Sequence, residues 1–78
     1  MDKMRALEVL VCVVEHGSFS KAADTLDMSA VMVGKYIAAL ESELGTRLIE
    51  RSTRLQKLTA AGYAFYQQAK LTLAQLQH

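Results

Sequence analysis

The sequence has no proline and a single cysteine in 78 residues. Without proline nothing interrupts a helix interior, and with 51% apolar residues the chain can bury enough surface to order itself. Disorder is therefore excluded and long helices are favoured. The lone Cys12 has no partner for an internal disulfide, which fits a reducing cytoplasm. The longest unbroken apolar run, Val9 to Val14, is too short to cross a bilayer, so no membrane partner is expected. Asp2, Lys3 and Arg5 precede that run, but no small-residue cleavage site follows it, and a signal peptide is a poor fit. A chain of this length makes one domain with a marginal core, so its high apolar fraction implies that some apolar surface is covered by a partner.

The residues that catalysis needs are equally scarce. His16 and His78 sit at element ends, with no spacing that sets either beside Cys12 or a carboxylate pair. Glu41 and Glu43 are two apart on a helix and do not face each other. Each serine has a capping explanation, and Cys12 lies within an apolar helix. There is no metal-ligand cluster and no phosphate-cradling glycine loop. The chain is read as a non-enzyme, without metal or cofactor.

Net charge is only +1, but it is unevenly placed. All eight acids lie in residues 1–50, against Lys3, Arg5, Lys21, Lys35 and Arg47. Residues 51–78 hold Arg51, Arg54, Lys57 and Lys70 and no acid. A localised basic patch, more than the total charge, is what draws in phosphate.

Four helices and a hairpin follow from the pattern. Asp2 caps a first helix to about Glu15, whose main stripe is Leu7, Leu10, Val11 and Val14. A second stripe, Ala6, Val9 and Val13, predicts burial on two sides, the second being a candidate dimer contact. Gly17 stops this helix in a left-handed conformation. Ser18 caps a short second helix, Phe19 to Leu26, with Phe19, Ala22, Ala23 and Leu26 on one face. After the turn at Asp27-Met28, Ser29 caps a third helix that ends at Gly45. Its stripe is Val33, Ile37, Leu40 and Leu44; its other face, Ala30, Gly34, Lys35 and Ala38, is small and carries one cation. Two helices joined by about three residues cross steeply, the spacing at which a second helix enters the major groove.

Residues 48–51 and 55–58 interleave apolar and polar side chains around a polar turn and predict a β-hairpin. Arg51, Ser52, Thr53 and Arg54 at its tip suit phosphates or a minor groove. Thr59 caps a last helix to the C-terminus. Gly62, Tyr66, Ala69, Leu73 and Leu76 form a heptad seam on it, with no second half in the chain, which predicts dimerisation.

The run Glu15-x-Gly17-Ser18-Phe19-Ser20, Ala22-Ala23-x-x-Leu26-x-x-Ser29, Val33, Ile37, Leu40-Glu41, Leu44-Gly45, Leu48, Glu50-Arg51 and Leu58-Thr59-x-Ala61-Gly62 resembles the N-terminal DNA-binding domain of LysR-type transcriptional regulators. The resemblance covers nearly the whole chain. It implies a mainly α fold: a winged helix-turn-helix of three helices plus a short hairpin wing in residues 1–58, with the helix-turn-helix at about 19–38. A long linker helix, residues 59–78, would follow and pair with its copy in a homodimer. It further implies a bacterial protein whose third helix reads a two-fold-related site in double-stranded DNA while the wing grips the backbone or minor groove. A small-molecule effector is expected only for a ligand-sensing domain that would begin where this chain ends.

On that reading Ser29, Ala30, Val31, Gly34, Lys35 and Tyr36 face the groove. Ser18, Ser20 and Lys21 sit on phosphate, and Arg51 to Arg54 form the wing contact. Two positions depart from the family pattern: Ala30 stands where glutamine is typical, and Gly34 where serine is. Neither can hydrogen-bond to a base edge through its side chain. The alternative reading, a winged-helix protein-interaction module that never meets DNA, draws on these two residues and on the low net charge.

Overall fold

The computed structural model describes residues 2–50 and 57–76, with side-chain burial described to residue 75. In chain order these are α1 (Lys3–His16), α2 (Phe19–Leu26), α3 (Ala30–Leu44), β1 (Ile49–Glu50), β2 (Lys57–Leu58) and α4 (Ala60–Leu76). Each helix begins where a short polar side chain takes up an otherwise unpaired amide. Asp2 accepts from the N–H of Arg5 at 3.2 Å, Ser18 from Lys21 and Ser29 from Met32 at 3.1 Å each, and Thr59 from Gly62 at 2.9 Å. Thr59 also donates its hydroxyl to the Arg47 carbonyl at 2.6 Å, which ties the start of α4 to the loop before β1.

The turn between α2 and α3 closes on Asp27, at φ 56° and ψ 50°. It is the one non-glycine residue with positive φ among those described. Aspartate adopts this left-handed conformation more readily than most side chains. The amides of Asp27 and Met28 return to Asp24 and Ala23 carbonyls at 3.4 and 3.0 Å. A bond from α1 reinforces the corner: the Arg5 guanidinium donates to the Leu26 carbonyl at 3.1 Å, a cation on the C-terminal end of α2.

α1 is the hub and touches α2, α3 and α4. Ala6, Val9, Leu10, Cys12 and Val13 from α1 meet Ala22 and Ala23 of α2, Val33, Ile37 and Leu40 of α3, and Leu48 and Ile49. Burying each of the larger of these side chains contributes roughly 1.5–3 kcal/mol. Among the described residues no polar or charged residue is buried. The alanines at 22 and 23 let α2 approach closely, as their small volume predicts.

The strands pair antiparallel, with Ile49 opposite Leu58 and Glu50 opposite Lys57. Residues 51, 55 and 56 of the two stretches read from the sequence lie outside the described residues. The hairpin tip, with Arg51, Ser52, Thr53 and Arg54, lies outside the described residues.

One expectation about dimer contacts, the second stripe of α1, needs correction. Val9 and Val13 are 0% and 3% exposed, so the second side of α1 is covered by the chain's own core and offers nothing to a partner. The seam on α4 is used in part within the chain. Gly62 sits against the Leu48 backbone so closely that a β-carbon there would run into the Leu48 carbonyl oxygen. The Tyr66 hydroxyl donates to Glu15 at 3.4 Å, Ala69 is 1% exposed, and Leu73 is half-buried. The Leu76 side chain falls outside the described part. Part of the seam thus packs within the chain, while Tyr66 and Leu73 stay half-exposed.

Candidate nucleic-acid interface

Because Val33, Ile37 and Leu40 are drawn into the core, the opposite side of α3 must face outward at a spacing of three and four. The residues there are Val31, Lys35, Ala38 and Ser42, all exposed. No acid lies in that row. Ala30 is also exposed, and Gly34, half-exposed, flanks the row on the side of α2. Its nearest neighbour is the Phe19 ring, 3.6 Å from where a β-carbon would stand. That contact sets the first turn of α2 beside the second turn of α3. Ser18, Ser20 and Lys21 thereby join the leading turns of α3 at one edge of the molecule.

The site's described cations, Lys21 and Lys35, pair with no described acid. The ion pairs among the described residues are Lys3 with Glu43 at 2.7 Å, Arg5 with Glu8 at 3.8 Å and Arg47 with Glu41 at 3.8 Å. Lys21 and Lys35 are exposed and join none of them. Such side chains are free to meet an anion without first giving up a partner. The hydroxyl oxygens of Ser18 and Ser29 already accept amide hydrogen bonds as caps. Tyr36 differs from its expected placement: it is half-buried, packs on the core, and lines a shallow cleft with Asp2, Met32, Lys35 and Ala39. It lies on the flank of α3 away from Gly34, toward the start of α1.

Two positioning residues carry no role in the sequence reading. Arg5 fixes the C-terminal end of α2, as described above. Glu41, on the last turns of α3, accepts the backbone amides of Leu48 and Ile49 at 2.8 and 3.2 Å. That one carboxylate aligns the start of β1, and hence the root of the hairpin, with α3. The available signal is local: a glutamate four residues before the helix-stopping Gly45, with Arg47 just beyond. Among the described residues no group of His, Cys, Asp and Glu is arranged to hold a metal ion. None of the described helices is long and apolar enough to cross a membrane.

Comparison with known proteins gives this geometry a context. The family model described as "bacterial regulatory helix-turn-helix protein, lysR family" matches residues 4–63. The transcriptional regulator YhjC of Escherichia coli K12 is 45% identical over 76 residues, which cover 97% of this chain and 25% of that protein. The chain thus spans about a quarter of the length of the curated relatives it matches. Among solved structures, the DNA-binding domain of BenM in complex with catB site 1 DNA is 42% identical with a TM-score of 0.92, covering 99% of this chain and 85% of that one. The DNA-binding domain of CbnR in its DNA complex is 38% identical with a TM-score of 0.91, covering 99% and 87%.

Proposed function

The chain belongs to the lysR family of bacterial regulatory helix-turn-helix proteins and is a winged helix-turn-helix domain of a transcriptional regulator; from this we propose that α3 enters the major groove of a two-fold-related operator, one copy per half-site. The observation that carries the reading is the division of α3. One side is fully committed to the core, and the other is a row of small side chains with one unengaged cation and no acid. Low side chains let the helix axis come close to base edges, and Lys35 reaches guanine or a phosphate. Ser20 and Lys21, with the amides at the start of α2, lie where a flanking phosphate would be held. The basic hairpin tip, Arg51 to Arg54, would reach the neighbouring backbone or minor groove.

Half-sites about one helical turn, or a multiple of it, apart require two copies. In our reading they pair through α4 (Ala60–Leu76), by the face that α1 leaves uncovered. That face holds Tyr63 and Leu71, 58% and 60% exposed, with Ala60, Ala64 and Ala74. The parent protein would act in the bacterial cytoplasm, with any small-molecule effector bound by a separate sensing domain and no cofactor in this one.

The test is selection of bound duplexes from a random pool with this chain. Enrichment of an inverted repeat is the expected result. Recovery of no motif would instead favour a winged helix that binds protein.

A further inference from the structure

We propose that the leading turns of α3 read the 5-methyl group of pyrimidines, so that thymine methyls, more than hydrogen bonds to base edges, select the half-site. The inference rests on the DNA-binding reading above and names the feature of the DNA that is recognised.

Val31 carries it. At 69% it is the most exposed of the large apolar side chains described, and it opens the row of α3 that faces away from the core. Around it are Ala30, Gly34 and Ala38, none of which offers a side-chain donor or acceptor. Ser29 is engaged as the helix cap. Tyr36 is half-buried and packs on the core. The first two turns therefore present methyl groups and bare backbone, and Lys35 is the one outward side chain on them with polar reach. In the major groove each base pair shows a distinct edge, and among the four bases thymine alone shows a methyl group there. An apolar helix face and an apolar base edge are complementary, whereas the same face would leave the polar edges of guanine and cytosine unpaired. Charge completes the match, since Lys21 and Lys35 join no ion pair and can draw the same edge of the molecule onto phosphate.

Gly34 is the second observation. A glycine inside a helix costs about 1 kcal/mol relative to alanine, so its presence asks for a reason. Packing supplies none, because a β-carbon at 34 would meet only the Phe19 ring, at the ordinary contact distances of 3.6 and 3.9 Å. Residues three apart on a helix are neighbours about 5–6 Å apart, so the missing side chain leaves a notch directly beside Val31. Valine's restricted χ1 holds its two methyls in place at little further entropic cost. A valine ridge beside a glycine notch is a seat for a methyl group that projects from a base edge.

The experiment compares equilibrium binding of this chain to its selected duplex and to versions in which deoxyuridine replaces thymidine, one position at a time. Uracil keeps the hydrogen-bonding edge and removes only the methyl. At one or two positions per half-site the substitution should weaken binding roughly three- to fivefold, the burial of one methyl group. Replacing cytosine by 5-methylcytosine in a duplex carrying C at that position should recover a similar factor. Val31→Ala, an exposed change that leaves the core intact, should shrink the uracil penalty toward unity. Equal affinity for thymine and uracil at every position, with specific binding retained, overturns the inference and leaves the DNA-binding reading standing. A penalty unaffected by Val31→Ala overturns the assignment to this face. Failure to bind any duplex removes the reading itself, and the inference with it.

Discussion

Lys35 shows how a single residue's environment sets what a substitution does. Its side chain is exposed and joins no ion pair, so Lys35→Ala should leave the melting temperature unchanged. Affinity for the selected duplex should fall by about 1–3 kcal/mol if the amine meets a base edge, measured by titration against a scrambled control. Glu41 is the opposite case. Its carboxylate holds two backbone amides, and Glu41→Ala leaves them without that acceptor, at a cost of about 1–3 kcal/mol in chemical denaturation. Cys12 adds a pH dependence. Burial first, and the nearby Glu15 carboxylate second, raise its thiol above the ordinary value of 9.0. The unfolded thiol ionises before the native one does. Its contribution to stability is therefore complete below about pH 9 and is lost as pH rises through the native value. Denaturation midpoints of wild type and Cys12→Ala should diverge less above pH 10 than at pH 7.

At the scale of elements, the helices were legible because their ends carry their own chemistry. Asp2, Ser18, Ser29 and Thr59 each cap where their residue type and the following apolar stripe require. Asp27 takes the left-handed conformation that its position in the turn demands. What the sequence could not tell is which of two faces a helix spends at home. Periodicity identifies a stripe but carries no information on what covers it. For that reason Val9, Val13 and the row from Gly62 to Ala69 read equally well as core or as dimer seam. Gly62 itself is used at home: only a residue without a side chain lets that helix lie on the Leu48 carbonyl. Gly62→Ala should force α4 away from the loop before β1, costing about 1–3 kcal/mol as overpacking does. A lowered melting temperature, with hydrogen exchange rising first in α4, checks it. The roles of Glu41 and Arg5 were hidden for a related reason: each acts on backbone groups of a distant segment, seven and twenty-one residues away, and leaves no periodic trace.

For the whole molecule, the proposed pairing turns on the apolar face of α4 that holds Tyr63 and Leu71. A core this small stabilises itself only modestly, and pairing two copies through Tyr63 and Leu71 would cover surface that α1 leaves open. Leu71→Glu should therefore convert dimer to monomer in sedimentation while leaving the helical signal intact, and should weaken operator binding steeply, since two half-sites are no longer held together. The claim on which everything else depends is that the outward edge of α2 and α3 meets DNA. Its most direct test is the affinity for the selected duplex measured across a series of salt concentrations. Each phosphate neutralised contributes about −0.9 to the slope of log affinity against log salt. Lys21 acting alone in both copies already gives about −1.8, so the slope should be at least that steep. A slope near zero, with no preference for the selected sequence over a scrambled one, would contradict the account.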